Sequence, residues 1–262
     1  MKLAKPGLFC LLALSWLSGA VRAQELHPKV KLFIPFQEYS QEDNQRVLKL
    51  FDGLRVADVS DGLDVAGLAD VGIVDPEIRP LWRDTEQFTH RIIGIAVTAR
   101  YVPTNKREPK MDPRSIGRWY KELTSEAFQD VLFPGSILVL DGGEDNDTRT
   151  IGSSNILGWK KRGALGVITT GGVGDTDEII HQKVPLYYRR LGRGLRPGRN
   201  ELESVNRPVT CGGVLVRPGD VVVADGDGVV VVPRERAAEV AEASRQFLDN
   251  IGLKRHQEAR QK

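Results

Sequence analysis

The chain has 262 residues, of which 37 are Lys or Arg, 35 are Asp or Glu, and 40% are hydrophobic. A formal net charge of +2 leaves no excess of positive charge to spread along a phosphate backbone, which argues against generic nucleic-acid binding. Two cysteines exclude a disulfide-based scaffold. The length suits one large domain or two small ones, each with a real core.

The N-terminus has the pattern of a secretory signal segment over residues 1–23. Two lysines precede an apolar run at residues 8–17, and small residues lead to a cleavage site after Ala23. The run is too short to span a bilayer of ~30 Å, and an N-terminal anchor that is never cut is the alternative. Cleavage would remove Cys10 and leave Cys211 as the single cysteine. The mature chain is then expected to be nearly neutral, without a stable membrane span, and secreted or periplasmic.

The first half of the chain predicts two helices and a strand. A capping box at residues 40–43 opens an amphipathic helix, and a second short helix is predicted over residues 56–63. The β-branched residues of 91–102 predict a strand. The charged, proline-containing stretch 103–118 predicts a surface loop, and residues 119–132 predict a helix.

The second half alternates strands and helices more regularly. Residues 134–142 and 218–226 share one turn–strand–turn pattern. The remaining predicted elements are a helix over 155–162, a strand over 164–169, a helix from 175, strands over 184–189, 209–216 and 220–232, and a closing helix over 234–247. The sum is an α/β domain over 36–250, with tails at 24–35 and 251–262.

The stretch 167–178 carries the most informative chemistry. A buried strand is predicted to run into a glycine loop that delivers Asp175 to the start of a helix, where backbone N–H groups favour anions. The carboxylates of Asp175, Asp177 and Glu178 could instead hold a hard cation such as Mg²⁺. The alternative is structural, because an Asp followed three residues later by Glu is also a helix-capping pair.

Several familiar sites are excluded or disfavoured. The glycines at 171–174 match neither a P-loop nor a dinucleotide fingerprint, and the four histidines are scattered without metal-ligand spacing. No serine lies in a nucleophile-elbow motif. Cys211 falls in a strand pattern and is predicted to be a buried thiol. The acidic stretch 141–147 is either a solvated loop, which is favoured, or a calcium loop.

Five arginines lie within eleven residues: Arg189, Arg190, Arg193, Arg196 and Arg199. Their guanidinium groups could clamp a carboxylate or phosphate. A solvated loop and a subunit contact paired with acidic residues are the alternatives. No aromatic residues alternate with the arginines, which disfavours single-stranded nucleic acid as the ligand.

From about residue 54 to 240 the chain resembles the RraA-like family, which comprises the regulator of ribonuclease activity A and the 4-hydroxy-4-methyl-2-oxoglutarate (HMG) aldolases. The matching stretches are 59–63, 94–98, 134–143, 162–168, 175–179 and, most closely, 206–233. The resemblance implies a swivelling β/β/α fold and a homotrimer or hexamer with its active site near a subunit boundary.

The resemblance also implies a metal site. In the aldolase branch Mg²⁺ or Mn²⁺ binds a 2-keto acid and stabilises the enolate formed when the C–C bond breaks. The family signature is an acid, about twenty residues, Arg-Asp, two residues and a second acid. Asp175 then anchors the metal and Glu178 orients a water on it. Gly174 stands in place of the arginine and Ser153 in place of the upstream acid.

The predicted function is therefore a metal-dependent lyase, a class II aldolase or decarboxylase. Its reaction would be aldol cleavage of a 2-keto acid or decarboxylation of oxaloacetate, with Asp175 and Glu178 as catalytic residues. Polar contacts to the substrate are assigned to Ser153, Ser154 and Asn155, at a site that includes Gly174. The alternative is a non-catalytic trimeric protein that binds an anionic ligand or a protein partner. Inhibition of ribonuclease E is disfavoured by the signal segment.

Overall fold

The computed structural model describes residue 29 and residues 31–107, 110–143 and 147–259, with side chains as far as residue 250. The chain divides into two compact units, Met1–Pro35 and Phe36–Lys262, and every element described below lies in the second. The predicted signal segment, Cys10 and the centre of the acidic stretch 141–147 lie outside the described residues. Among the described helices, none is long and apolar enough to cross a bilayer.

Both N-terminal helices begin where the sequence predicts. Helix α1 spans Gln41–Leu50, and the Ser40 hydroxyl accepts a hydrogen bond of 3.0 Å from the backbone N–H of Asp43. Helix α2 spans Val56–Val65, and its apolar face packs on the sheet and on the last helix of the chain. Because these contacts bury the periodic apolar residues, the 3.6-residue pattern is a reliable guide in this region.

One mixed sheet forms the centre of the domain and curves into a nearly closed barrel. Its strands are β1 (Arg79–Pro80), β2 (Ile92–Pro103), β3 (Ser136–Asp141), β4 (Arg149–Ile151), β5 (Ala164–Val173), β6 (Leu186–Leu191), β7 (Asn200–Val205), β10 (Val221–Asp225) and β11 (Gly228–Val232). A separate hairpin consists of β8 (Val209–Cys211) and β9 (Val214–Val216).

The strand order is β1-β6-β5-β3-β2-β10-β11, with β4 beside β5 and β7 beside β2. The pairs β2–β3, β3–β5, β5–β6 and β4–β5 are parallel, and the others are antiparallel. Parallel neighbours require crossover connections, and helix α4 (Ser153–Lys161) and the short helix α5 (Thr176–His181) supply two of them. The predicted α/β fold class is confirmed.

The prediction for residues 103–132 is wrong in part. Helix α3 spans Pro113–Glu122, so it begins inside the predicted surface loop and ends well before residue 132. Asp112 caps it by accepting hydrogen bonds from two backbone N–H groups, and proline occupies the first helical position. A 3₁₀ helix at Ala127–Val131 is all that remains of the predicted C-terminal half. Asp112 and Pro113 are the sequence signal for the start of this helix, and the prediction did not use them.

The predicted glycine loop is also corrected, because β5 continues through Gly171 and Gly172 to Val173. A Cβ on Gly172 would lie 2.1 Å from the carbonyl oxygen of Thr148, in the segment that leads into β4. The glycines therefore allow two backbones to approach closely within a strand. The short strands β4 and β7 were not predicted.

The C-terminal part follows the prediction closely. The β8–β9 hairpin turns at Gly212 and Gly213, and β10 and β11 turn at residues 226–227. Cys211 is fully buried, so the predicted buried thiol is confirmed, and burial raises the pKa of this thiol to about 12. The closing helix α6 spans Ala237–Ala259, after a 3₁₀ turn at Arg234–Arg236, and is longer than expected.

A buried carboxyl before β10 predicts a pH dependence of stability. Asp220 is buried and accepts hydrogen bonds from the backbone N–H groups of Arg217 at 2.7 Å and Arg234 at 3.0 Å, yet burial raises its pKa to about 6 from 3.8. The folded protein keeps this proton to a higher pH than the unfolded chain does. The free energy of unfolding is therefore expected to fall by on the order of 2 kcal/mol as the pH rises from about 4 to 6.

Urea unfolding from pH 4 to 7, on the wild type and Asp220→Asn, measures this effect. Asparagine does not titrate, so the variant is expected to lack this decline. Asp52→Asn, which changes an exposed aspartate, is the matched control and should follow the wild type. Parallel curves for the wild type and Asp220→Asn would contradict the assignment.

Candidate functional site

Asp175 lies between the end of β5 and the start of α5. Its backbone is in the left-handed region (φ 52°, ψ 37°), which Asp tolerates better than most residues. Its carbonyl oxygen accepts the N–H of Ile179 at 3.1 Å and so starts the helix. Its side chain makes no capping hydrogen bond, which corrects the capping-pair alternative. The carboxylate is therefore available for other contacts.

Two neighbours orient that carboxylate. Arg149 on β4 forms an ion pair with it, with 2.7 Å between Nη1 and Oδ1. The backbone N–H of Ser153, at the start of α4, donates to Oδ2 at 3.1 Å, and the Ser153 hydroxyl lies 3.5 Å from the same oxygen. The Asp175 side chain remains 32% exposed and that of Arg149 34%. An ordered, solvent-accessible carboxylate results.

Gly174 leaves room for the Arg149 side chain. A Cβ on Gly174 would lie 2.3 Å from Cδ of Arg149 and 3.0 Å from the carbonyl oxygen of Gly192. The position at which the resemblance implies an arginine is thus filled by the stem of a different arginine. Its guanidinium contacts Asp175, so a positive charge is retained beside the carboxylate.

Glu126 and Arg196 form a buried ion pair that lines the same cavity as Asp175. Glu126 accepts four hydrogen bonds, from Asn155 Nδ2 (2.6 Å), Arg196 Nη2 (2.7 Å), Trp159 Nε1 (2.8 Å) and Gln129 Nε2 (2.6 Å). The Glu126 side chain is only 13% exposed and that of Arg196 only 5%. Charges buried to this degree are tolerated because they are paired and hydrogen-bonded.

Two tyrosines complete the environment of Arg196. Its Nη1 donates to the Tyr101 hydroxyl at 3.0 Å, and its guanidinium lies 5.0 Å from the ring centroid of Tyr120. Burial raises the pKa of the Tyr101 phenol, so the hydroxyl stays protonated and donates to the carbonyl oxygen of Ser125 at 2.8 Å. These contacts fix the position of Arg196 in the lining of the cavity.

The two ion pairs border one cavity of about 440 Å³. It is lined by Tyr120, Thr124, Glu126, Gln129, Arg149, Gly152, Ser154, Asn155, Asp175 and Arg196. A polar cavity of this size suits a small organic acid. Of the four predicted substrate contacts, Ser154 and Asn155 line this cavity, whereas Ser153 contacts Asp175 and Gly174 precedes it in the chain. Their role in binding a substrate stays a prediction.

Glu178 and Asp177 lie elsewhere. Both are exposed on α5, and neither lines the cavity. The role predicted for Glu178 stays a prediction.

The arginines of 189–199 diverge. Arg189 pairs with Asp75 at 2.6 Å, Arg193 pairs with Asp147 at 2.7 Å, and Arg196 is buried against Glu126. Arg199 donates to the carbonyl oxygen of Leu195. These four arginines have separate partners and therefore do not clamp one anion together, and among the described residues only Arg196 of the five lines the cavity.

The residues that line the cavity in the described part of the chain offer a metal ion a single carboxylate ligand, that of Asp175. The described residues contain no group of three or more His, Cys, Asp or Glu side chains that could hold an ion. Glu126 is saturated by its four donors. The two Asp175 oxygens accept hydrogen bonds of 2.7 Å and 3.1 Å, and a carboxylate oxygen has two lone pairs, so acceptor capacity remains. The site fits a hydrated ion held through one carboxylate, which is how Mg²⁺ is often bound.

Sequence reasoning missed Arg149 and Glu126. Arg149 lies in the short alternating segment 148–151, directly after the acidic stretch, and that alternation was its one detectable signal. Glu126 precedes a 3₁₀ helix, and its partners lie 3 to 70 positions away in the chain. No spacing rule connects such residues.

A family model described as RraA-like, Aldolase/RraA, matches residues 56–231. Protein DlpA of Legionella pneumophila is 27% identical over 186 residues, which cover 70% of this chain and 27% of that protein. A protein named "Putative 4-hydroxy-4-methyl-2-oxoglutarate aldolase" from Halalkalibacterium halodurans is 31% identical over 115 residues, covering 43% of this chain and 53% of its own. The chain thus spans about a quarter and about half of the lengths of these two curated relatives.

Solved structures show the same fold. An uncharacterized protein from Pseudomonas syringae has a TM-score of 0.62 and 28% identity, with 78% of this chain and 88% of that chain covered. Streptomyces coelicolor RraAS2, described as an unusual member of the RNase ES inhibitor RraA protein family, has a TM-score of 0.66 and 22% identity. The match covers 84% of this chain and 99% of RraAS2, and at that identity it shows the fold alone.

Proposed function

Because the chain belongs to the RraA-like (Aldolase/RraA) family, we propose that it is a lyase that acts on a small 2-keto acid in the cavity beside Asp175. The reaction is aldol cleavage of an HMG-type substrate or decarboxylation of oxaloacetate. The observation that supports it is the Asp175 carboxylate, which is oriented by Arg149 and Ser153 and still accessible from a polar cavity.

In this proposal Asp175 holds Mg²⁺ or Mn²⁺, directly or through water. Such a cation, when bound, polarises the keto oxygen and stabilises the charge that develops as the bond to carbon breaks. Ser154 and Asn155 present polar groups to the substrate, and Glu126 fixes the Asn155 amide by accepting its N–H. Glu178 keeps its predicted role, to orient a water on the cation, although its side chain is exposed on α5 and does not line the cavity.

The test is pyruvate release by the mature protein from oxaloacetate and from HMG, with Mg²⁺ or Mn²⁺. Asp175→Asn is expected to lower the rate at least tenfold, because it removes the charge that holds the cation. Asp177→Asn is the matched control, since it makes the same change at an exposed neighbour outside the cavity and should leave the rate unchanged. Folded wild type that releases no pyruvate above background with either metal would overturn the proposal for these substrates.

A second candidate is a non-catalytic protein that binds an anionic ligand. It is favoured by Gly174 and Ser153, which occur where the resemblance implies charged residues. The same assay separates the candidates, because a binding protein retains ligand affinity without releasing pyruvate.

Assembly and location belong to the proposal as well. A ring of three subunits, or a hexamer of two rings, would place the cavity near a subunit boundary, and light scattering after gel filtration measures the mass. Export with cleavage after Ala23 is tested by sequencing the N-terminus of the mature protein. A mature chain that begins at Met1 would overturn cleavage.

A further inference from the structure

We propose that Arg149 is the residue that binds the ligand's carboxylate, and so selects acids as ligands of this cavity. The assignment rests on the proposed function only for the class of ligand. Two observations carry it: the way in which the backbone makes room for this side chain, and the unused donors of its guanidinium.

Three glycines lie against the segment that carries Arg149, two of them beside its backbone and one beside the Arg149 side chain. A Cβ on Gly172 or on Gly192 would lie 2.1 Å from the carbonyl oxygen of Thr148, and a Cβ on Gly174 would lie 2.3 Å from Cδ of Arg149. Ordinary side chains at these positions would push β4 or the arginine stem aside. Gly172 and Gly192 thus allow the backbone of Thr148 to approach closely, and Gly174 leaves the space that the Arg149 stem occupies beside Asp175.

The Arg149 guanidinium has spare donors. Among the described residues it donates one hydrogen bond, from Nη1 to Asp175, although a guanidinium carries five N–H groups. One third of its side chain is exposed, and it lines the cavity. Arg196, the other arginine of the lining, is buried and committed to Glu126 and Tyr101. Arg149 is thus the positive group that a ligand can reach.

The chemistry of the donors fits a carboxylate. A planar guanidinium can bind two carboxylate oxygens through parallel N–H groups, which an ammonium cannot do. Asp175 holds the group in place and balances its charge before a ligand arrives. The hydroxyl of Ser154 and the amide of Asn155 lie on the same cavity lining and suit the remaining ligand oxygens.

The experiment is calorimetric titration of oxalate, pyruvate and inorganic phosphate into the mature protein with EDTA present. The wild type is expected to bind oxalate in preference to phosphate. Arg149→Met should weaken oxalate binding at least tenfold, and Arg149→Lys should fall between the two. Arg193→Met is the matched control, because it removes an exposed arginine that is also ion-paired to an aspartate, and should bind like the wild type. Thermal melting confirms that each variant is folded.

Failure of this assignment is separable from failure of the lyase proposal. Equal oxalate affinity in Arg149→Met and wild type, no oxalate binding by the wild type, or tighter binding of phosphate would each overturn the role of Arg149, whatever the activity. Oxalate binding that depends on Arg149 in a protein that releases no pyruvate would support the assignment and overturn the lyase proposal alone.

Discussion

Replacing Glu126 with alanine is expected to lower the free energy of unfolding by about 3–5 kcal/mol, the range for removing one partner of a buried ion pair. Four donors lose their acceptor at once, and one of them is the guanidinium of Arg196, whose side chain is 5% exposed. A buried cation without a partner retains its desolvation cost and loses its compensation.

Urea unfolding of Glu126→Ala beside Glu122→Ala measures this difference. Glu122 is exposed at the C-terminal end of α3, where a negative charge is slightly unfavourable, so its removal should change stability by less than about 0.5 kcal/mol. The double variant Glu126→Met with Arg196→Met leaves no unpaired charge. Its loss in free energy of unfolding should therefore be smaller than the sum of the losses caused by the two single replacements. Equal stability losses in Glu126→Ala and Glu122→Ala would contradict the buried-pair assignment.

Local pattern predicted most of the regular structure. The capping box at Ser40, the β-branched run of β2 and the glycine turns around β8–β11 each act over a few residues, so spacing alone identifies them. The main error, in residues 103–132, came from weighing prolines and charges above the cap at Asp112. The starts of these elements were therefore predictable to within a few residues, whereas the short strands β4 and β7 were missed and α6 extends beyond its predicted end.

The candidate site could be predicted only in part. Asp175 has a local signal, at the end of a strand and the start of a helix, whereas residues 153–155 were assigned from the family resemblance, and the fold brings Ser153 into contact with Asp175. Arg149 and Glu126 depend on contacts that exist only after β4 has inserted beside β5 and α4 has packed on the sheet. From the sequence, Gly174 indicates the loss of a charged side chain. In the structure, Gly174 makes room for Arg149, which comes from strand β4.

Because the Arg149 stem occupies the space beside position 174, an arginine introduced at that position should destabilise the fold and weaken ligand binding. Gly174→Arg is expected to destabilise the fold by about 2–3 kcal/mol, because its Cβ meets Cδ of Arg149 at 2.3 Å and the carbonyl oxygen of Gly192 at 3.0 Å. It should also weaken oxalate binding, since the Arg149 guanidinium leaves its position beside Asp175. Gly158→Ala is the matched control for a side chain added to a glycine, because apart from the backbone of its own helix no described heavy atom lies within 4 Å of the new Cβ.

Removing the Arg149 side chain, which Gly174→Arg displaces, should restore most of the stability that Gly174→Arg loses. In the double variant Gly174→Arg with Arg149→Ala, the contact with Cδ disappears and one guanidinium again faces Asp175. The double variant is therefore expected to be more stable than Gly174→Arg alone, although Arg149→Ala by itself costs about 1 kcal/mol through a partly exposed ion pair. The cycle is measured by urea unfolding and oxalate titration of all four proteins. Costs that simply add would mean that the two positions do not share one space, because only coupled neighbours depart from additivity.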